Sequence, residues 1–194
     1  MPRFPRFLVL ALLVASCGSS NMPPPRNLDD ACALAGERPQ YLAALERTEK
    51  KWGTPVPVMM AMIHQESKFV SNARTPLRWR LGVIPVGRQS SAYGYSQALD
   101  GTWDEYRSLQ RRPRAKRDDI RDATDFMGWY MDVTAQRLGI SKGDARNQYL
   151  AYHDGHTGYA RGSYRSKGWL MGVADRVAER AVMYDAQLAA CRLR

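Results

Sequence analysis

The sequence is poor in several features that define common protein classes. Its 194 residues include only three cysteines and three histidines, and they contain no internal repeat or long low-complexity tract. The longest apolar run near the N-terminus covers residues 7–15, whereas a membrane-spanning helix needs roughly 20 residues. Signals for β-strands are also scarce. These absences disfavour a repeat protein, a transmembrane helix, and metal or thiol catalysis.

The N-terminus has the pattern of a bacterial secretion signal. Arg3 and Arg6 precede the apolar run, and the sequence Leu-Val-Ala-Ser-Cys that ends at Cys17 resembles a lipobox, where a lipoprotein is cut and acylated. We expect residues 1–16 to be the lipoprotein signal peptide and Cys17 to be the lipidated N-terminus. Residues 17–38 then form this N-terminus and a flexible tether. An ordinary signal peptide cut nearby, with Cys17 left free, is the alternative.

An exported lipoprotein would lie on the periplasmic side of the cell envelope, bound to a membrane through its N-terminal lipid. Gly18 stands where an acidic residue often signals retention in the inner membrane, so the outer membrane is expected. Cys32 and Cys191 lie near the two ends of the mature chain. An oxidising compartment favours a disulfide between them.

Charge is strongly unbalanced, with 29 Lys and Arg against 19 Asp and Glu and a net charge of +10. Loss of the signal peptide removes two basic residues and no acidic ones, which leaves +8. This excess predicts an anionic partner, and export favours a negatively charged envelope polymer over nucleic acid. The basic clusters at residues 74–80 and 111–117 are equally compatible with solvated loops.

Helical periodicity dominates from Pro39 onward and predicts a single all-α domain over residues 39–191. We predict six helices, over residues 39–52, 57–66, 100–110, 119–138, 141–152 and 169–191. Arginine, proline and glycine interrupt the pattern in residues 69–92. Because several apolar residues remain there, we expect an ordered flap with at most a short hairpin.

A carboxylate lies at the end of the second predicted helix. Met59, Ile63 and Glu66 follow one another at the four- and three-residue spacings that share a helix face, so Glu66 is expected to lie against hydrocarbon. Burial disfavours the ionised form and keeps a glutamate protonated near neutral pH, as a general acid requires. A solvated glutamate in a final helical turn is the alternative.

Three short segments carry a family resemblance. They are Glu-Ser-Lys-Phe at residues 66–69, Ser-Ala-Tyr-Gly-Tyr-Ser-Gln at residues 91–97, and Tyr-Leu-Ala-Tyr-His-Asp-Gly at residues 149–155. In this order they resemble the lysozyme-like soluble lytic transglycosylases, whose pattern is a Glu-Ser pair, a Gly-Leu-Met-Gln-like segment and an Ala-Tyr-Asn-x-Gly-like segment. The resemblance covers residues 39–184.

The resemblance implies a lysozyme-like, mostly helical domain with at most a minor β-hairpin and a substrate cleft. It makes Glu66 the catalytic acid/base, and Tyr152 would orient Glu66 or the substrate's acetamido group. Six residues would bind substrate: Ser67, Gly94, Tyr95, Gln97, Tyr152 and His153. Tyr95-Ser96 and His153 depart from the family pattern, so the roles at the individual sugar subsites stay open.

The activity implied is lytic transglycosylation of peptidoglycan glycan strands, without a cofactor or a metal. Glu66 would protonate the β-1,4 glycosidic oxygen between N-acetylmuramic acid (MurNAc) and N-acetylglucosamine (GlcNAc). The ionised Glu66 would then accept the proton of the MurNAc C6 hydroxyl, which closes on C1. The product is a 1,6-anhydroMurNAc end, and no water is consumed.

Alternatives from other classes remain at this point. A water-using muramidase would recruit Asp100, Asp104 or Asp154 as a second carboxylate. A non-catalytic peptidoglycan-binding lipoprotein would keep the scaffold with a vestigial Glu66. Metal chemistry at His64 is disfavoured, because residues two apart on a helix point to nearly opposite sides.

Overall fold

The computed structural model describes residues 23–192 and contains helices packed around one core. The helices of this part of the chain are α1 (Ala31–Glu37), α2 (Pro39–Trp52), α3 (Val56–Ser67), α4 (Asp100–Leu109), α5 (Ile120–Leu138), α6 (Ala145–Ala160) and α7 (Gly168–Arg192). A 3-10 turn, Ser163–Ser166, precedes α7, and strands β1 (Leu77–Arg80) and β2 (Ile84–Arg88) form an antiparallel hairpin. The predicted fold class is confirmed. The residues predicted to form the signal peptide, and Cys17, lie outside the described residues.

Helices α2 and α5 begin and end where their cap residues predict. Pro39 occupies the first turn of α2, and Gly53 ends that helix with a φ of 70°. The carboxylate of Asp119 accepts hydrogen bonds from the first backbone N–H groups of α5, and Gly139 ends it with a φ of 68°. Local sequence alone therefore sets these boundaries.

The folded domain begins before Pro39, which corrects the predicted tether of residues 17–38. Ala31 and Leu34 are buried in the core, and α1 packs against α2 and α7. Asp30 caps α1 by accepting a hydrogen bond from the Ala33 N–H at 2.9 Å. Two core contacts in a seven-residue helix are too few to produce a visible hydrophobic period.

Helix α6 also differs from its prediction at both ends. It begins after Asp144, whose carboxylate accepts from the Asn147 N–H at 3.0 Å, and not at Ser141. It continues past Tyr152 to Ala160 through a break at Gly155, where φ is 72° and ψ is 158°. Gly155 therefore interrupts the helix close to where the glycine-rich loop is predicted, and a second helical segment follows it in place of a loop.

Helix α3 is buried along most of its length and occupies the centre of the domain. From Val58 to His64 every residue is buried, and α2, α5, α6 and α7 all contact this helix. An α-helix that is apolar all round has no solvent face and has to be enclosed. Enclosure of α3 therefore places Glu66, near its C-terminus, at the junction of several helices.

The predicted disulfide between Cys32 and Cys191 is confirmed. Their Cα atoms are 6.1 Å apart, and the bridge joins α1 to the end of α7 across 159 residues of sequence. In the chain-entropy model a loop of this length removes unfolded-state entropy worth about 5 kcal/mol. No described helix has both the length and the apolar character needed to span a bilayer.

A buried carboxylate, Asp125, ties α2, α4 and α5 together. It accepts hydrogen bonds from Lys51 Nζ at 2.8 Å, Trp52 Nε1 at 2.9 Å, the Tyr106 hydroxyl at 2.6 Å and Arg112 at 2.6 Å. Burial alone would raise the pKa of this carboxyl, but the hydrogen bonds outweigh burial and lower it. The charge is therefore fully compensated at neutral pH.

We predict that Asp125→Asn lowers the free energy of unfolding by about 2 kcal/mol at neutral pH. The amide can neither accept all four hydrogen bonds nor neutralise Lys51 and Arg112, which are partly solvated and soften the loss. Asp104→Asn is the matched control, because Asp104 is exposed and pairs only loosely with Arg107 at 3.7 Å. Urea unfolding of both variants tests this, and equal stabilities would contradict it.

Candidate active site

Glu66 lies in the last turn of α3, at a helix end that is held by packing. Lys68 and Phe69, which follow it, both have left-handed φ values, 53° and 60°. Such values cost non-glycine residues of the order of 1–3 kcal/mol each and persist only where surrounding contacts impose them. The contact is visible here, because Phe69 is fully buried and stacks on Tyr41 with ring centroids 5.9 Å apart. The chain therefore turns sharply just beyond the carboxyl.

The surroundings of Glu66 favour its protonated form. Burial raises the pKa of Glu66 to about 7, although the Tyr149 hydroxyl donates a hydrogen bond to the carboxyl and opposes this shift. The C-terminal end of a helix dipole also disfavours an anion. No second carboxylate of the described residues acts on this pKa. Glu66 can therefore exist in both protonation states near neutral pH.

Tyr149, and not Tyr152, supplies the hydrogen bond to Glu66. The Tyr152 hydroxyl donates to the Ser96 carbonyl oxygen at 2.6 Å, and its ring packs edge-on against Tyr130. Burial and then the nearby Glu66 charge hold the pKa of Tyr152 well above its ordinary value. Tyr152 is thus close to the acid, but its hydroxyl is directed to the backbone.

Three of the predicted substrate-binding residues meet at one cavity. Gln97, Tyr152 and His153 line a space of about 240 Å³ with Thr102 and Leu99. Gln97 has a left-handed backbone conformation, with a φ of 50°. Its side-chain amide donates hydrogen bonds to the carbonyl oxygens of Gly94 at 2.8 Å and Ala73 at 3.0 Å. Tyr152 lines this cavity, and the charge of Glu66 contributes to its raised pKa. The cavity therefore lies near the acid.

Gly94 and Tyr95 were predicted to bind substrate, but both are buried. A Cβ at Gly94 would lie 2.1 Å from the Arg117 carbonyl oxygen, so only glycine fits this backbone contact. Tyr95 is 3% exposed, and its hydroxyl is 2.8 Å from that of Tyr41. These residues therefore support the cavity from inside the core.

Ser67 also has a structural contact in place of the predicted one. Its hydroxyl donates to the Ile63 carbonyl oxygen of the preceding helical turn at 3.3 Å, and the residue is buried. A hydrogen bond of this kind satisfies the hydroxyl within the helix. Ser67 thus follows Glu66 in sequence, while its hydroxyl is bonded to the helix backbone.

An exposed aromatic residue beside the cavity escaped the sequence analysis. Trp169 is 61% exposed, and its ring meets the His153 ring edge-on with centroids 5.1 Å apart. The available signal was its position at the start of α7, one residue before Leu170 and outside the core face of that helix. His153 and Trp169 together form an aromatic rim on the cavity.

His64 lies away from this site and has a different environment. Its ring nitrogens are 3.2 and 3.4 Å from Lys68 Nζ, and burial and then the Lys68 charge lower its pKa to about 4. His64 is therefore uncharged at neutral pH. Within residues 23–192, no cluster of three or more His, Cys, Asp or Glu side chains is arranged to hold a metal ion.

A mostly helical domain that carries one protonatable glutamate beside an aromatic cleft has the lysozyme-like architecture of glycan-cleaving proteins. The comparison with protein families is specific: the family model described as "Transglycosylase SLT domain" matches residues 6–191, and the chain belongs to this family. The protein is therefore a transglycosylase of peptidoglycan. A comparison with curated proteins yields no significant match.

We predict that Glu66→Gln stabilises the protein at alkaline pH. The pKa of Glu66 is about 7 in the folded protein and has an ordinary value of 4.5. Below pH 4.5 both states hold the proton, and between pH 4.5 and 7 the unfolded state releases it first. The free energy of unfolding therefore falls as the pH rises from 4.5 to 7. Above pH 7 the charge on Glu66 lowers it by at most about 3 kcal/mol.

Melting curves of Glu66→Gln and wild type at pH 4 and pH 8 measure this effect. We expect the variant to melt about 5 °C higher at pH 8 and nearly equally at pH 4. Glu105→Gln, on the exposed side of α4, is the control and should change neither value. A shift of the same size at both pH values would mean that the charge of Glu66 has no part in it.

Proposed function

We propose that the protein is a lytic transglycosylase that cleaves the β-1,4 bond between MurNAc and GlcNAc and leaves 1,6-anhydroMurNAc ends. The observation that carries the proposal is the isolated acid: Glu66 has a pKa of about 7, a hydrogen bond from Tyr149, and no second carboxylate acting on it. Glycosidases that use water ordinarily need two carboxylates. A single group that titrates near neutrality can donate a proton and then recover it.

The reaction begins with protonated Glu66, which donates its proton to the glycosidic oxygen. The bond from this oxygen to MurNAc C1 breaks, GlcNAc leaves with a C4 hydroxyl, and an oxocarbenium-like MurNAc remains. The ionised Glu66 then takes the proton of the MurNAc C6 hydroxyl while that oxygen bonds to C1. The enzyme ends in its starting protonation state, and the substrate has gained no water.

Tyr149 has a defined part in this cycle. Its hydroxyl donates to the Glu66 carboxyl, and a hydrogen bond to a carboxylate is stronger than one to the neutral acid. The bond therefore strengthens as Glu66 gives up its proton and weakens when the proton returns. Tyr149 is a positioning residue that stabilises the charged intermediate state of the acid.

The carboxylates that a hydrolytic mechanism could recruit are engaged in ion pairs. Asp100 pairs with Arg117 at 2.7 Å, and Asp104 with Arg107. The buried carboxylate of Asp154 contacts the Lys167 ammonium and accepts a hydrogen bond from Ser163 at 2.6 Å. Burial would raise the pKa of Asp154, but the hydrogen bonds from Lys167 and Ser163 outweigh burial and lower it. Asp154 is therefore a weaker base for activation of a water, which favours the anhydro product over a reducing end.

The aromatic rim suits a sugar substrate. Sugar rings have apolar faces, and an exposed indole offers a flat surface of matching size, so we assign Trp169 to stacking on a glycan residue beside His153. The net positive charge of the mature chain, +8, complements the acidic groups of the cell wall. Both features favour binding of an extended glycan strand.

The envelope location is part of the same proposal. The lipobox that ends at Cys17 supports a lipid-anchored protein on the periplasmic side of the envelope, and Gly18 favours the outer membrane. The Cys32–Cys191 bridge is compatible with this compartment, because structural disulfides persist in oxidising surroundings. Metabolic labelling of Cys17 with a radioactive fatty acid, compared with Cys17→Ser, tests the anchor.

Analysis of the muropeptides released from purified peptidoglycan tests the reaction. We expect products one water lighter than those of a hydrolase, and Glu66→Gln should lower their rate of release about 10³-fold because the general acid is lost. Glu105→Gln should release them at the wild-type rate. Mass spectrometry before and after chemical reduction separates the two kinds of end, because anhydro ends do not react.

Each of the other outcomes would indicate a different function. Only reducing MurNAc ends would make it a muramidase, in spite of its paired aspartates. Equal release by wild type and Glu66→Gln would remove Glu66 as the acid. Sedimentation with peptidoglycan without any release would leave a binding protein on a lysozyme-like scaffold.

Tyr149→Phe tests the positioning role through the pH profile. Loss of the hydrogen bond raises the pKa of Glu66, so the acid stays protonated to higher pH and the alkaline limb of kcat shifts upward. The rate at the optimum should fall about tenfold or less. Tyr159→Phe is the matched control, because that hydroxyl donates to Asn147 at 2.9 Å, away from Glu66. A fall in kcat without a shift of the limb would reduce Tyr149 to a packing role.

A further inference from the structure

The β1–β2 hairpin carries an unusual concentration of exposed apolar surface. Of the ten exposed large hydrophobic residues in the described part of the chain, six lie inside this hairpin, between residues 77 and 86. They are Leu77, Trp79, Leu81, Val83, Ile84 and Val86. Single exposed apolar residues are ordinary on protein surfaces, but a contiguous group of this size marks an interaction site.

All charged residues of this segment are basic. Residues 67–99 contain no aspartate or glutamate, and four arginines, Arg74, Arg78, Arg80 and Arg88, lie in the hairpin and its base. The guanidinium of Arg88 donates to the Thr75 carbonyl oxygen at the base, and Arg74 lies over the Tyr93 ring. The hairpin therefore combines an apolar tip with a positively charged stem.

Contacts within the protein do not explain the conformation or the composition of the hairpin tip, residues 81–83. Leu81 is 84% exposed and has a φ of 55°, a value that is unfavourable for a side chain with a Cβ. Val83, two residues further, is 73% exposed. Glycine or asparagine would suit such a turn better, and neither core packing nor turn propensity accounts for a leucine there.

The shape of the hairpin indicates what surrounds these residues. Neighbouring side chains of a strand point to opposite faces, yet all nine residues of β1 and β2 are exposed. A protein partner docked on one face would leave the other in water. A fluid acyl phase covers a narrow projection from both sides and requires no complementary groove.

We propose that the β1–β2 hairpin is a membrane-binding element whose tip enters the interface of a bilayer rich in anionic phospholipid. Leu81, Val83 and Ile84 reach the upper acyl region, while Trp79 lies at the level of the headgroups, where indole rings concentrate. The arginines of the stem contact lipid phosphates. Insertion stays shallow, because the strand edges carry backbone groups that need water or headgroups as partners.

The base of the hairpin continues into the site that holds the cavity. Arg74 pairs with Tyr93, and Tyr93 with Ala98, as isolated β-bridges. The Gln97 side chain donates to the Ala73 carbonyl oxygen at 3.0 Å. A hairpin held at a bilayer would thus fix the orientation of the cavity relative to the membrane, independently of the reaction that occurs in it.

Hydrogen exchange of the full chain, read peptide by peptide, tests the proposal. The probes are vesicles of equimolar phosphatidylglycerol and phosphatidylethanolamine, and vesicles of phosphatidylcholine alone. We expect exchange in residues 77–88 to slow several-fold on the anionic vesicles and to remain unchanged on the neutral ones. Because the readout is local, membrane contact of the N-terminal segment does not contribute to it.

A double variant at the tip supplies the comparison. Leu81→Ser with Val83→Ser should abolish the slowing in residues 77–88 without altering the melting temperature, since neither side chain contacts the core. Leu109→Ser with Val182→Ser is the matched control: these residues are 61% and 71% exposed elsewhere, and the slowing should persist.

Four results would overturn the proposal. They are equal slowing on both kinds of vesicle, slowing on neither, slowing only with soluble peptidoglycan fragments, and slowing that depends on protein concentration without vesicles. The third result would make the hairpin a glycan-binding flap, and the fourth a self-association surface. The muropeptide assay measures catalysis separately, so failure of the membrane proposal and failure of the proposed reaction are distinguishable.

Discussion

Burial of a helix that is apolar on every side is the constraint from which the site follows. Helices α2, α5, α6 and α7 enclose α3, and its C-terminal turn emerges where they meet. Glu66 lies in that turn. Its pKa near 7 comes from this enclosure, since burial is the largest influence on it. Core formation and preparation of the acid are therefore one event.

Rigid elements hold each part of the site in place. Phe69, buried against Tyr41, fixes the sharp turn after Glu66, and Tyr149 approaches from the first part of α6, before its break at Gly155. Residues on packed helices keep their geometry better than residues on loops. The exposed hairpin and the aromatic rim are the parts of the molecule that project toward large partners.

Much of this arrangement follows from local sequence, and the remainder depends on contacts between distant segments. Caps predict α2 and α5, and helical spacing places Glu66, which is partly buried, against the core. Tyr149 and Tyr152 are three residues apart and share a helix face, so sequence could not decide which one reaches the acid. The family resemblance assigned Gly94 to substrate binding, and local sequence could not reveal its contact with the Arg117 backbone, which spans 23 positions. Asp125 has no local motif, since its partners lie on α2, on α4 and in the loop that follows α4.

The bridge between Cys32 and Cys191 has a mechanical consequence. Tension applied to the chain ahead of Cys32 passes through the two sulfur atoms into the end of α7, so α1 is not peeled away from the body of the protein. Helix α7 lies along α3 and distributes the load over a long contact. A protein that is anchored through its N-terminus and bound to a polymer would therefore keep its fold under tension.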